Sequence, residues 1–334
     1  MNELLSKNID ELGEILVKMG EKPFVAKQLK AWLDKGALFG EMTNLSKSLR
    51  QKLSDNYTEG YAKVVEKLTS TDGTIKYLMS MHGGGLIECV VMTYEHGSTL
   101  CVSTQIGCRM GCTFCASGSE GLIRNLSTAE MMSQFIEVNK HDRISNVVLM
   151  GSGEPLDNYD NTVAFIRALN TEQDIGMRHI SLSTCGIVQG ILKLARENMQ
   201  VTLCLSLHSA LDNKRKQIMP TANAYSVKEI IDAAKIYFKN TGRRIIIEYT
   251  LISGFNDSGS DIDALVSVTK ALSCHINVIP LNQVSGDLTE PSQKQAYAFA
   301  AQLTSRGRSA TVRRSLGSDI EGACGQLKFK REGQ

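Results

Sequence analysis

Between residues 99 and 280, short apolar runs alternate with helix-like stretches, and this alternation constrains the fold more than any other feature of the chain. The apolar runs are Thr99 to Ser103, Ser145 to Met150, His179 to Ser183, Val201 to Leu207, Arg244 to Ile252 and His275 to Pro280. Helical patterns lie between them: Thr128 to Asn139, Tyr159 to Leu169, Val227 to Phe238 and Asp261 to Leu272. Ser127 and Thr128 stand where an N-cap is needed, with Glu130 and Glu137 following. Strands that are apolar almost without interruption are covered on both faces, as in a parallel sheet flanked by helices. The reading is α/β, a partial (β/α)6 barrel of the TIM type, whose ligands sit at the C-terminal ends of the strands.

The polar residues obey that rule. Gly151-Ser-Gly153-Glu154-Pro155 follows the second strand, Ser183-Thr-Cys-Gly186 the third and Ser206-Leu-His208-Ser209 the fourth. Gly254-Phe-Asn256-Asp257 follows the fifth and Asn282 the sixth. After the first comes Cys108-Arg-Met-Gly-Cys112-Thr-Phe-Cys115. Three soft thiolates at this spacing suit three corners of a cubic iron–sulfur cluster, with the fourth iron open to a small molecule. Closed structural zinc would want a second short-spaced Cys/His pair, and none follows. On spacing alone, an iron–sulfur site, zinc and chance all stay open. Cys185, Cys204 and Cys274 lie inside apolar runs, where cysteine acts as a small buried hydrophobe.

Residues 2–56 read as helical, with Leu4, Leu5, Ile9, Leu12, Ile15 and Leu16 at helical spacing, then Phe24, Leu29, Trp32 and Leu33, then Leu49 and Leu53. Trp32 is the expected core anchor. Between 62 and 95 three short strands are divided by Thr71-Asp-Gly73 and Gly83-Gly-Gly85. The expected organisation is a helical domain over 1–58, a small β region over 59–96 and a core over 97–334. No run approaches the ~18 apolar residues of a membrane span, and the N-terminus lacks a secretory pattern. Nine cysteines without such a signal read as reduced thiols and metal ligands of a cytoplasmic protein. A net charge of +2 does not announce a nucleic-acid binder. Local basic clusters do offer phosphate contacts: Lys214-Arg215-Lys216, Arg243-Arg244, Arg313-Arg314 and Lys328-Phe-Lys330-Arg331.

These motifs together resemble the radical S-adenosylmethionine (SAM) superfamily, and more narrowly the RlmN/Cfr adenine methyltransferases. The resemblance runs from about Phe24 to Leu327. It rests on Glu88 in Leu86-Ile-Glu-Cys-Val90, on Leu100-Cys101 through Cys108, on Arg124-Asn-Leu126, Gly153-Glu154-Pro155, Ser206-Leu-His208, Met219-Pro220 and Asp319 through Leu327. Cys101 and Cys324 set it apart from generic radical SAM enzymes. Two positions depart from the pattern: Ser152 stands where the family has methionine, and Cys185 where a serine or another small residue is common.

The resemblance implies a radical SAM barrel with a [4Fe-4S] cluster on Cys108, Cys112 and Cys115, and two SAM molecules per turnover. Gly153 and Glu154 would bind the amino end of SAM, with Ser183, Ser206, Leu207, His208 and Asn282 lining the rest. Cys324 would carry the methyl group as S-methylcysteine, Cys101 would release the product through a transient disulfide with Cys324, and Glu88 would accept the ring proton. The implied substrates are an adenine in the peptidyl-transferase centre of 23S rRNA, methylated at carbon 2, and the adenine 3′ of the tRNA anticodon. The implied reductant is flavodoxin or a similar donor, and the enzyme would be a monomer. The alternatives are Cfr-type methylation of carbon 8, a radical SAM enzyme acting on protein or small molecules, and a zinc-stabilised RNA-binding module.

Overall fold

The computed structural model describes residues 2–95, 97–119, 121–282 and 288–327. The basic run from Lys328 to Arg331 lies outside them. The chain opens with β1 (Asn2–Glu3), α1 (Ile9–Lys18), α2 (Val25–Leu33) and α3 (Lys47–Asn56), then β2 (Tyr57–Thr58), which pairs in parallel with β1. Leu4 and Leu5 lie in the turn after β1, outside α1, and are still buried. Asn8 and Ser46 cap α1 and α3, their side-chain oxygens accepting the N–H groups of Glu11 and Leu49 at 2.9 and 3.1 Å. Leu12, Leu16, Leu29, Leu33, Leu49 and Leu53 fill the space between the helices. Trp32 is only half-buried, its indole N–H donating to Asn44 Oδ1 at 2.5 Å, so the leucines and not the tryptophan anchor this core.

β3 (Lys63–Thr69), β4 (Ile75–Ser80) and β5 (Leu86–Tyr94) are antiparallel, and β5 pairs antiparallel with β6 (Gly97–Cys101). A hairpin of β7 (Gln105–Gly107) and β8 (Leu122–Asn125) frames the cysteine loop. The alternation then runs α4 (Thr128–Asn139), β9 (Ile144–Leu149), α5 (Tyr159–Glu172), β10 (Ile180–Thr184), α6 (Val188–Arg196) and β11 (Thr202–Ser206). It continues through α7 (Asp212–Ile218), α8 (Val227–Thr241), β12 (Ile245–Leu251), α9 (Gly259–Thr269), β13 (Cys274–Pro280), α10 (Gln293–Ser305) and β14 (Ala310–Val312). One ten-stranded sheet has the order β14-β13-β12-β11-β10-β9-β6-β5-β4-β3. Its members from β6 to β14 are parallel neighbours. The antiparallel strands of residues 63–94 extend this same sheet, because β5 hydrogen-bonds directly to the first barrel strand.

Alternation along β5 and β6 decides what faces the barrel interior. Ile87, Cys89, Val91, Leu100 and Val102 join the main core, while Val90, Met92 and Cys101 pack with Leu327 on the opposite face. Ser127 caps α4 as expected, and Glu130 closes the capping box while taking both Nη groups of Arg124 at 2.8 and 2.7 Å. That gives the Arg124-Asn-Leu126 motif a structural task.

Candidate active site

Two adjoining cavities lie at the C-terminal ends of the parallel strands. Cys108, Cys112, Cys115, Glu154, Ser206 and His208 help line one of them. Val90, Met92, Cys101 and Leu327 help line the other. Asn282, Arg313 and Cys324 belong to both.

The loop that carries Cys324 is tied down along its length. Gly317 N–H donates to Asp72 Oδ2 at 2.8 Å, and Asp319 accepts from Ser70 Oγ at 2.6 Å and Thr71 N–H at 3.0 Å. Lys76 Nζ reaches the Glu321 carbonyl at 3.3 Å, and Asn282 Nδ2 the Cys324 carbonyl at 3.1 Å. Ala116 N–H donates to the Gly325 carbonyl at 2.7 Å, docking the loop onto the cysteine motif. The turn between β3 and β4 is thus a clamp on the segment that bears Cys324.

Glu154 is buried between two strand ends. Its Oε2 accepts Cys185 N–H at 2.7 Å and its Oε1 accepts Leu156 N–H at 3.0 Å, while its own N–H donates to Gln105 Oε1 at 2.8 Å. Burial pushes its carboxyl upward, and those backbone donors oppose the shift. Gly153 has φ +106°, and a Cβ there would stand 2.6 Å from Gln105 Cβ, so only glycine fits against the segment leading to the cysteine loop.

Ser183 Oγ donates to Glu248 Oε2 at 2.9 Å and lies 3.0 Å from Ser206 Oγ. Glu248 Oε1 in turn stands 3.4 Å from Arg313 Nη1. The Cys324 thiol facing Arg313 favours its charged form most, burial opposes it, and Glu248 adds to the stabilisation. Burial pushes the Cys101 thiol up to about 12, Cys324 adds to that, and Arg313 opposes it. Both sulfurs therefore lie in the field of one cation.

His208 takes φ +56° and is buried. Its Nδ1 accepts Thr250 N–H at 2.9 Å, which leaves the ring proton on Nε2. Burial first, and then the Arg215 charge, hold it at about 3, so the ring is neutral. Its edge meets Phe114 of the cysteine motif, with centroids 4.7 Å apart. Asn256 supports this turn by donating to the His208 carbonyl at 2.7 Å and accepting Ile252 N–H at 2.8 Å.

Not every expected residue reaches a cavity. The Leu207 side chain is fully buried in the core, and only its backbone serves the site: its N–H donates to Glu248 O at 3.0 Å and its carbonyl accepts from Arg215 Nε at 3.1 Å. Glu88 lines neither cavity. It stands one inward position before Val90, which pairs with Cys101 at the end of β6, so it lies rimward of Cys101. Its Oε1 is 3.2 Å from Lys76 Nζ, and both side chains are buried.

Two basic clusters turn some of their cations inward and leave Lys216 and Arg314 exposed. Arg215 is fully buried, Lys214 pairs with Asp261 at 2.7 Å, and Arg313 enters the cavities. Sequence reasoning missed Glu248 and Arg313, which line the cavity, as site residues. The signal for Glu248 was present: a lone carboxylate in an apolar strand buried on both faces demands a partner.

The cysteines suit an iron–sulfur cluster by the chemistry of the donor set. Burial pushes all three thiols up, Cys108 to about 12, and bound iron draws the protons off such thiols. Among the described residues, no three His, Cys, Asp or Glu side chains gather around one ion. A cubic cluster takes one thiolate at each of three separate corners.

Fold and site define a radical SAM enzyme, and residues 102–266 match the Radical SAM superfamily. That superfamily uses a [4Fe-4S] cluster and SAM. Residues 2–58 match the ribosomal RNA large subunit methyltransferase N-terminal domain. The probable dual-specificity RNA methyltransferase RlmN of Clostridium novyi is 47% identical over 98% of both chains. The protein of the same description from Clostridium perfringens is 48% identical, covering 98% of this chain and 97% of its own. The crystal structure of a radical SAM methyltransferase from Sphaerobacter thermophilus superposes with a TM-score of 0.93 at 38% identity, covering 98% of this chain and 99% of its own. The chain belongs to the RlmN family of radical SAM methyltransferases.

Proposed function

We propose that this enzyme methylates carbon 2 of an adenine in the peptidyl-transferase centre of 23S rRNA, and the adenine 3′ of the anticodon in tRNA. The observation that carries the proposal is the shared cavity of Cys101 and Cys324, adjoining the one lined by Cys108, Cys112 and Cys115. It acts as a cytoplasmic monomer with flavodoxin or a similar electron donor. Among the described residues no helix is long and apolar enough to cross a membrane.

The [4Fe-4S] cluster and SAM, when bound, supply the carbon radical that an unreactive aromatic C–H position needs. Cys108, Cys112 and Cys115 hold the cluster. Gly153 gives the backbone close approach, Glu154 binds the amino end of SAM, and Ser183, Ser206, His208 and Asn282 shape the remaining pocket, with the Leu207 backbone beneath them. Cys324 carries the methyl group to the base, and Asn282 fixes its carbonyl. Arg313 stabilises negative charge on either sulfur while Cys101 attacks the sulfur of Cys324; the S–S bond forms as the bond from that sulfur to the carbon on the base breaks, and that carbon takes a proton to become the methyl group. Glu88, tied through Lys76 to the Glu321 carbonyl, takes the ring proton once the base enters from the rim. An adenine must leave its stack to reach these residues.

Mass spectrometry of nucleosides from 23S rRNA and tRNA, treated with reconstituted enzyme, tests the proposal. It predicts 2-methyladenosine in both; 8-methyladenosine without 2-methyladenosine would overturn the assignment in favour of the Cfr-type reaction.

A further inference from the structure

Three consecutive cations in α7 meet three different fates. Lys214 reaches Asp261 and the Phe255 carbonyl, at 2.7 and 2.6 Å. Lys216 is exposed. Arg215 has no solvent exposure at all, which makes it the largest fully buried side chain described. Burying a guanidinium is costly unless an anion compensates it, yet no carboxylate among the described residues forms an ion pair with it. Its Nε donates to the Leu207 carbonyl at 3.1 Å and its Nη2 to the Cys185 carbonyl at 2.5 Å. Its Nη1 has no hydrogen-bond partner among the described residues. A buried cation with an idle donor marks a place where an anion belongs.

The neighbours say which anion. Thr113 N–H donates to the Ile218 carbonyl at 3.0 Å, fastening the end of α7 to the cysteine loop between Cys112 and Phe114. Cys112 and Cys185 pack in one cluster with Ile218 and Met219, against the same end of α7. Arg215 itself does not line the SAM cavity and meets it only through the backbone of Cys185. The cluster cysteines line that same cavity, and the bond from Thr113 N–H to the end of α7 favours the Cys112 corner over a SAM carboxylate as the anion that Arg215 meets.

We propose that Arg215 is a positioning and tuning residue that donates Nη1–H to a sulfur at the Cys112 corner of the cluster. The inference rests on the reading that Cys108, Cys112 and Cys115 hold a [4Fe-4S] cluster. Hydrogen bonds to cluster sulfurs and nearby charge set the reduction potential. A cationic donor favours the reduced, more negative cluster. Arg215 thus makes the cluster easier to reduce while standing outside the SAM pocket.

The test is the reduction midpoint of the reconstituted cluster, read by electron paramagnetic resonance during a redox titration. In Arg215→Gln the equilibrium constant for reduction should fall about tenfold, or ~59 mV for one electron. Arg215→Lys keeps the charge, loses the planar fork and should fall between wild type and Arg215→Gln. A wild-type midpoint in a variant that folds and holds full iron would overturn the proposal. Removing Arg215 orphans the Leu207 and Cys185 carbonyls and endangers folding, so a second measurement uses the unmutated protein. With guanidino-15N arginine, pulsed resonance of the reduced wild-type cluster should show coupling to 15N, and the coupling should persist in Arg109→Lys. Its absence from wild type, or its loss in Arg109→Lys, would overturn the proposal whatever the variants do. Wild-type protein that binds no iron under any reconstitution would instead refute the cofactor reading on which the proposal stands.

Discussion

Replacing Glu154 separates the duty its contacts show, fastening two strand ends, from the proposed one, meeting SAM. Its carboxylate oxygens accept one backbone N–H each, from Cys185 at 2.7 Å and Leu156 at 3.0 Å. Glu154→Ala leaves both donors buried and unpaired. At about 1–3 kcal/mol for each unsatisfied group, the loss is about 2–6 kcal/mol. Glu154→Gln keeps one acceptor oxygen and turns an NH2 group toward the other N–H, so one donor stays satisfied and the loss is about half as large. Urea unfolding of the cluster-free chain under reducing conditions measures both. Equilibrium dialysis with SAM on reconstituted enzyme measures the second duty, and both variants should bind SAM more weakly than wild type. Equal destabilisation by Gln and Ala, or a loss below about 0.5 kcal/mol for Ala, would refute the two-donor reasoning.

Gly153→Ala meets both a clash with Gln105 and a φ of +106°, so it should cost at least ~2 kcal/mol; a wild-type melting temperature would contradict this. Asn256→Ala removes the groups bonded to His208 O, Thr250 O and Ile252 N, and should cost about 3 kcal/mol in urea unfolding while weakening SAM binding. Burial and Arg215 keep His208 neutral down to about 3, whereas in the unfolded chain it takes up a proton near pH 6.5. Across the window between those values the unfolded state binds the extra proton, so this histidine lowers stability as the pH falls. From pH 7 to 5.5 wild type should lose about 1 kcal/mol more than His208→Asn, and parallel pH profiles would contradict the account.

The strands of the barrel were legible because their apolar runs are nearly continuous, and α4 because Ser127 and Glu130 announce its start. Among the helices the sequence reading left out, α6 and α7 have Ile187 and Leu211 at their N-caps, neither of which supplies a side-chain cap, so no start signal existed. β14 is three residues long and owes its place to pairing with β13. The thiol motif was legible from spacing, and the proposed roles of Cys101, Cys324 and Glu88 come only through resemblance. Arg313 and Arg215 read as phosphate contacts because a sequence shows a cluster of cations without showing which one the fold turns inward. Arg313 faces Cys324 from the residue just after β14, and Arg215 hangs beneath the cysteine loop from a seven-residue helix.

A covalent link between protein and RNA gives the most direct test of the methyl-carrier role of Cys324. Cys101→Ala enzyme, reconstituted and turned over with SAM, reductant and 23S rRNA, should accumulate RNA bonded to the peptide containing Cys324, because the thiol that releases it is gone. Tandem mass spectrometry of the digested adduct should locate the bridge at Cys324, and Cys324→Ala should give neither adduct nor 2-methyladenosine. Formation of 2-methyladenosine by Cys324→Ala would contradict the account outright.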